Sequence, residues 1–136
     1  MLRGGLIGFG NVAAKGHLPG WQSVEGVQIV AATDAVANQG MAFLNACPRG
    51  RWHESVDDLL CDRALDFVDI CTPPNTHASL IKRALDGGLH VLCEKPLVTR
   101  LEDAQAVTAA AAASGRTVHV VHNSLKAAIC ERISTL

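Results

Sequence analysis

Gly8-Phe9-Gly10-Asn11-Val12-Ala13 sets two glycines and a small residue at the spacing Gly-x-Gly-x-x-Gly/Ala, just after the apolar Leu6-Ile7 and before a helical segment. This pattern suits the pyrophosphate of a dinucleotide. Gly8 permits a tight turn, Gly10 omits the Cβ that would keep the backbone from the phosphates, and Ala13 lets helix and strand pack closely. Asn11 and Val12 then bring free N–H groups to a helix N-terminus, where the macrodipole favours negative charge. A glycine-rich turn here also serves simply to reverse the chain, so the motif needs a second signal.

Asp34 is that signal. It ends the β-rich run Val27-Gln28-Ile29-Val30-Ala31-Ala32-Thr33 and stands 24 residues beyond Gly10, close to the distance expected of an acid that accepts both ribose hydroxyls. Such a carboxylate repels the additional phosphate of NADP, and Ala35, Val36, Ala37 and Asn38 include no cation to hold it. NAD is therefore the expected cofactor, ahead of NADP. Asp34 also suits the N-cap of the next helix, and the two roles can coexist.

Two later stretches carry further chemistry. Thr72-Pro73-Pro74-Asn75-Thr76-His77 follows the strand-like Phe67-Val68-Asp69-Ile70-Cys71, and Glu94-Lys95-Pro96 follows Leu89-His90-Val91-Leu92-Cys93. An ammonium at a strand end, as at Lys95, can hydrogen-bond a developing alkoxide and pass on a proton. The Lys95-Pro96 bond tolerates cis geometry, which would let the loop turn tightly toward a cofactor. A Lys-Pro pair elsewhere reads as a surface lysine beside a helix breaker. Thr72, Pro73, Asn75 and His77 are candidate cofactor contacts, while Pro73-Pro74-Asn75 equally makes a turn and helix cap by itself.

The elements that must place these residues alternate. After Asp34 a helix is expected to about Ala46, stopped by Pro48 and Gly50, then a short strand at Arg51-Trp52-His53. Ser55-x-x-Asp58 starts a brief helix ending near Asp62 or Arg63, and Asn75 or Thr76 caps one whose Leu80, Ile81, Ala84 and Leu85 share a face, closed by Gly87-Gly88. Thr99-x-x-Glu102 reads as the capping box of an Ala-rich helix ending at Gly115, and Thr117 to His122 makes a last strand. This alternation predicts an α/β fold: a Rossmann-like, doubly wound parallel sheet whose ligand crevice lies outside the strands' carboxyl ends.

At 136 residues the chain is one domain's worth, enough to bury a real core. A net charge of −1, with 18% charged residues and no basic run, points away from nucleic acid and anionic membranes. Cys47, Cys61, Cys71, Cys93 and Cys130 are odd in number and lack a Cys-x-x-Cys pair, arguing against a disulfide framework or a zinc site. They read as reduced residues, several buried, with Cys71 and Cys93 at strand ends. No secretory leader or long apolar span is apparent, so a soluble, cytoplasmic protein is expected, with small molecules and protein as its partners.

With Gly-Phe-Gly-Asn-Val-Ala, Ala-Thr-Asp, Cys-Thr-Pro-Pro-Asn-Thr-His and Cys-Glu-Lys-Pro in this order, the chain resembles the N-terminal half of the glucose–fructose oxidoreductase, inositol dehydrogenase and rhizopine-catabolism family over roughly residues 2 to 125. Glu-Lys-Pro is the specific element. The resemblance implies an NAD(P)-dependent oxidoreductase acting on sugars, polyols and related compounds. It implies that Lys95 is catalytic, reaching substrate and nicotinamide, that Pro96 shapes the loop and that Glu94 supports it. His17 in His17-Leu18-Pro19 also matches a family pattern, although a lone histidine here is more often a satisfied structural residue than a catalyst.

Family members continue into a second, α+β domain that supplies most of the substrate pocket, whereas this chain stops at Leu136. The expected division is a Rossmann domain over 1–122 and, over 123–136, a truncated remnant of the segment leading to the absent domain. In that remnant Leu125, Ile129, Ile133 and Leu136 could line one face of a terminal helix, and Lys126-Ala127-Ala128 stands where the family has a proline. Three readings follow: the cofactor-binding part of an oxidoreductase completed by a partner chain or cut short, a stand-alone NAD-binding module, and a degenerate fragment retaining only the fold.

Overall fold

The computed structural model describes residues 1–122. Six strands form one sheet, β1 (Leu2–Ile7), β2 (Val27–Thr33), β3 (Arg51–Trp52), β4 (Phe67–Ile70), β5 (His90–Cys93) and β6 (Val118–Val120), in the spatial order β3-β2-β1-β4-β5-β6. All five pairings are parallel. The order reverses between β1 and β4, which is the switch point where α/β sheets take ligands. In register, Ile7 pairs with Thr33 and Ile70, and Ile70 with Cys93. The next residues of four strands, Gly8, Asp34, Cys71 and Glu94, therefore stand side by side at one sheet edge.

Five α-helices pack on the two faces: α1 (Leu18–Gln22), α2 (Gln39–Ala46), α3 (Val56–Leu60), α4 (Pro74–Asp86) and α5 (Leu101–Ser114). A π-type turn at Ala13–His17 leads into α1. One face is closed by α3, α4 and α5 over Ile7, Val30, Val68, Ile70, Val91 and Cys93, with Leu59, Ile81 and Ala84 fully buried among them. On the other, α1 and α2 cover Leu6, Ile29, Ala32 and Phe67, and Phe9 meets Phe43 edge-to-face at 5.2 Å. None of the described helices is long and apolar enough to cross a membrane.

The strands follow the β-branched and apolar runs, and β2 has the predicted limits. Helix starts deviate more. α2 begins at Gln39 rather than after Asp34, because Asp34 Oδ1 accepts the Val36 amide at 2.7 Å and the chain bends through residues 35–38 first. Asp34 is thus not the cap of α2. Ser55 caps α3 as expected, its Oγ accepting the Asp58 amide at 3.1 Å, but α3 ends at Leu60. α4 starts at Pro74 with Pro73 before it, so Asn75 and Thr76 lie inside its first turn and cap nothing. α5 has Arg100 at its N-cap with no side-chain capping bond, so the Thr99-Glu102 box does not form; Glu102 instead pairs with the Arg100 guanidinium. Gly115 ends α5 at a φ of 64°. The expectations for residues 123–136 lie outside the described residues.

Candidate functional site

Gly8 and Gly10 are required for opposite reasons. Gly8 has a φ of +89°, and a Cβ there would come within 2.9 Å of Thr72 Cγ2 and 3.0 Å of the Cys71 backbone, so the β1 loop lies directly against the β4 loop. A Cβ at Gly10 would meet nothing within 4 Å. That open space, beside the exposed Asn11 and Val12 at the start of the first helical segment, is what a pyrophosphate needs: room for close approach and amides with no earlier turn to bond. Ala13 is fully buried beneath it. The residues present therefore fit a dinucleotide.

Asp34 is tied to the same loop. Its Oδ2 accepts the Phe9 amide at 2.6 Å, while the Gly8 amide donates to the Thr33 carbonyl at 2.9 Å. The carboxylate holds the glycine turn from the β2 side, and each oxygen keeps a second lone pair. The β4 loop is internally bonded as well: Thr72 and Thr76 hydroxyls are 2.7 Å apart, and Thr76 donates to the Pro73 carbonyl at 2.8 Å. Pro73 and Asn75 are exposed. His77 is not. Fully buried, it sets Nε2 2.8 Å from the Thr72 carbonyl and Nδ1 2.9 Å from that of Pro96. The ring thus braces the β4 loop against the β5 loop, and the direct cofactor contact expected of His77 gives way to this buried role.

At the end of β5 the Glu94 amide donates to the Ile70 carbonyl at 2.9 Å, the Lys95-Pro96 peptide is cis, and Lys95 and Pro96 are exposed. Glu94 is held on both oxygens. Oε2 accepts the Lys95 amide at 3.0 Å, and Oε1 lies 3.0 Å from His17 Nε2. The other nitrogen of His17, Nδ1, is 2.8 Å from Oδ2 of Asp69, which also accepts the Trp21 indole N–H at 2.7 Å. Asp69 is fully buried on a central strand. A charge so placed requires close partners. His17 supplies one as an imidazolium, its pKa raised to about 9, first by the hydrogen bond to Asp69, against the opposing effect of burial, with the charges of Asp69 and Glu94 adding to the rise. Burial pushes the neighbouring Cys71 thiol far up and that of Cys93 to about 12, the Asp69 charge adding to each. Both remain thiols at neutral pH.

The structure thus gathers Gly8, Gly10, Asp34, Thr72, Glu94 and Lys95 along one sheet edge, as the motifs implied. It adds Asp69 and Trp21, which were not singled out, and gives His17 a central place. One signal in the sequence pointed there: an aspartate in the middle of the apolar Phe67–Cys71 run, on a strand covered on both faces, has to find a cation or several donors.

Residues 2–122 match the profile of an oxidoreductase family described as having an NAD-binding Rossmann fold, Gfo/Idh/MocA. The chain is 35% identical over 121 residues to a D-apiose dehydrogenase of Paraburkholderia graminis, covering 89% of this chain and 32% of that protein. It is 32% identical to a 1,5-anhydro-D-fructose reductase of Ensifer adhaerens, covering 94% of this chain and 38% of the relative. The chain therefore spans about a third of the length of these relatives. Among solved structures, a 3-ketoreductase from Actinomadura kijaniata in complex with NADP and TDP-benzene superposes with a TM-score of 0.91 at 27% identity, over 98% of this chain and 41% of that one. That neighbour binds NADP, so likeness carries the nicotinamide dinucleotide but not the expected preference for NAD. The glycine loop, the strand order and the profile match agree, and the chain belongs to the Gfo/Idh/MocA oxidoreductase family with its NAD(P)-binding Rossmann fold.

Proposed function

We propose that this chain is the cofactor-binding part of an oxidoreductase acting on a sugar, polyol or related substrate, with NAD preferred to NADP. The observation that carries the reading is the open Cβ position at Gly10 beside a loop held by Asp34, on the same edge as the exposed Lys95. Gly10, Asn11 and Val12 would hold the pyrophosphate through backbone amides, with Gly8 making the tight turn that presents them, and Asp34 the adenosine ribose. Thr72, Pro73 and Asn75 would border the nicotinamide half, with Glu94 and His77 fixing the loops around it. When bound, the nicotinamide supplies hydride chemistry. Lys95 is the candidate catalytic residue, an ammonium able to hydrogen-bond a substrate oxygen and exchange its proton. Similar proteins named as dehydrogenases and reductases of D-apiose, 1,5-anhydro-D-fructose and inositol support the substrate class.

Fluorescence titration of the 136-residue chain with NADH and NADPH tests this reading. NADH is expected to bind at least about tenfold more tightly, about 1.4 kcal/mol, and Asp34→Arg to shift the preference toward NADPH. Equal affinities in the unaltered chain would remove Asp34 as the ribose ligand. Binding of neither would overturn the proposal.

A further inference from the structure

We propose that His17 is a positioning residue: by bridging Asp69 on β4 and Glu94 after β5, it fixes the carboxylate that in turn holds the Lys95 backbone amide. The chain of contacts is continuous. Asp69 Oδ2 lies 2.8 Å from His17 Nδ1, His17 Nε2 lies 3.0 Å from Glu94 Oε1, and Glu94 Oε2 lies 3.0 Å from the Lys95 amide nitrogen. Each member comes from a different part of the fold. His17 closes the π-type turn just beyond the glycine loop, Asp69 is internal to β4, and Glu94 and Lys95 form the loop after β5. The side chains of His17 and Glu94 are only 10% and 16% exposed, so little water competes for the bridge.

The arrangement does more than fill space. An apolar residue at position 17 could pack on Asp69, but it could neither offset the buried charge nor orient Glu94. An imidazolium does both, by donating one charge-assisted hydrogen bond to each carboxylate. The groups facing it are Asp69 and the Cys71 thiol from β4 and its loop and Glu94 from the β5 loop, while the Trp21 indole from α1 donates to Asp69 and Cys93 stands near both carboxylates. His17 is the cation these groups share. The segment leaving the pyrophosphate cradle is thereby locked to the loop of the candidate catalytic lysine, which supports a fixed geometry between the two halves of the site. This inference rests on the reading of Lys95 given above.

The test is carbon-detected NMR of the 136-residue chain between pH 6 and 10.5, following the His17 ring, the Glu94 carboxyl carbon and the Lys95 amide nitrogen. His17 is expected to titrate near 9, and the Lys95 nitrogen to shift in one step with the same midpoint. In Glu94→Gln the Lys95 step should vanish and the His17 midpoint fall; in His17→Gln the step should vanish with the Glu94 carboxyl signal displaced. A Lys95 nitrogen that stays still while His17 titrates in the unaltered chain would overturn the proposal, whether or not the variants fold. Failure of the Lys95 reading looks different: Lys95→Ala would leave the fluorescence of bound NADH unchanged, with the coupling between His17 and Glu94 intact.

Discussion

The two faces of the sheet are closed by different physics. Under α3, α4 and α5 the contact with the sheet is dry: Val68, Ile70, Ile81, Ala84 and Val91 meet one another, and the buried polar ring of α4, His77, turns to the loop carbonyls of Thr72 and Pro96. Under the π-type turn and α1, the adjacent position on β4 carries Asp69, and the face is joined by hydrogen bonds from His17 and Trp21. Phe67 packs beside this bridge, 5.0 Å from Trp21 between ring centroids. Burial of apolar surface stabilises without specifying direction, so the dry contacts secure the fold, and loop geometry on this side rests on the hydrogen bonds of His77. A charged bridge is directional, and its cost in desolvation is met only at the right distances. Its position directly below Glu94 and Lys95 places orientation where the site needs it.

The most severe break in this contrast is Asp69→Ala. It leaves His17 with one carboxylate and Trp21 without an acceptor, and should cost about 3–5 kcal/mol by urea unfolding. Ile81→Ala on the dry face should cost about 2–5 kcal/mol by leaving a cavity. The two would differ in character: removing Ile81 should spare the NMR step at Lys95, and removing Asp69 should not. A loss under about 1 kcal/mol for Asp69→Ala would show that the bridge does not hold its face.

Changing pH sharpens the comparison further. Because folding raises the His17 pKa from 6.5 to about 9, the folded state binds this proton more tightly than the unfolded chain. The resulting stability is fully present below pH 6.5 and is lost as pH rises through about 9; at 1.36 kcal/mol per unit it amounts to about 3 kcal/mol. Unfolding free energies measured from pH 6.5 to 8.5, below the range in which the thiols of Cys71 and Cys93 ionise in the unfolded chain, should fall by about 2 kcal/mol in the unaltered chain and in Ile81→Ala, and by much less in His17→Phe. Equal slopes in all three would assign the pH dependence elsewhere.

A smaller effect separates the two glycines. Gly8→Ala forces a side chain onto a φ of +89° and against Thr72, which should cost about 1–3 kcal/mol of stability. The Cβ introduced by Gly10→Val meets no protein atom within 4 Å, so its melting temperature should hardly change while NADH affinity drops at least about tenfold. The reverse pattern would exchange the roles given to the two positions.

How far these features could be read from sequence follows the range of the interactions behind them. β2 and the burial of Leu80, Ile81, Ala84 and Leu85 on α4 were readable because they arise from periodicity within one segment. The glycine loop was readable because its requirement is steric and local. Capping was less so: Thr99 and Glu102 have the right spacing, yet α5 starts at Leu101, and Glu102 bonds to Arg100 instead. His77 carried a recognisable motif, but its burial depends on the Pro96 carbonyl, which only the folded loop brings near. The His17 bridge joins residues 52 and 77 positions apart, so no periodicity records it. Only the stranded Asp69 hinted that a partner must exist.

Asp34 carries a consequence for how this domain can change over time. Its carboxylate holds the Phe9 amide at 2.6 Å, and on the proposed reading the same group selects the ribose. Tolerance for a 2′-phosphate and the shape of the phosphate cradle are then linked through one side chain. A substitution that welcomes the phosphorylated cofactor also removes the acceptor that steadies the turn, unless the newcomer or a neighbour supplies another. A lineage moving between the two cofactors would have to pass through a loosened loop or acquire two changes together, which makes the cofactor choice of such a domain slow to drift.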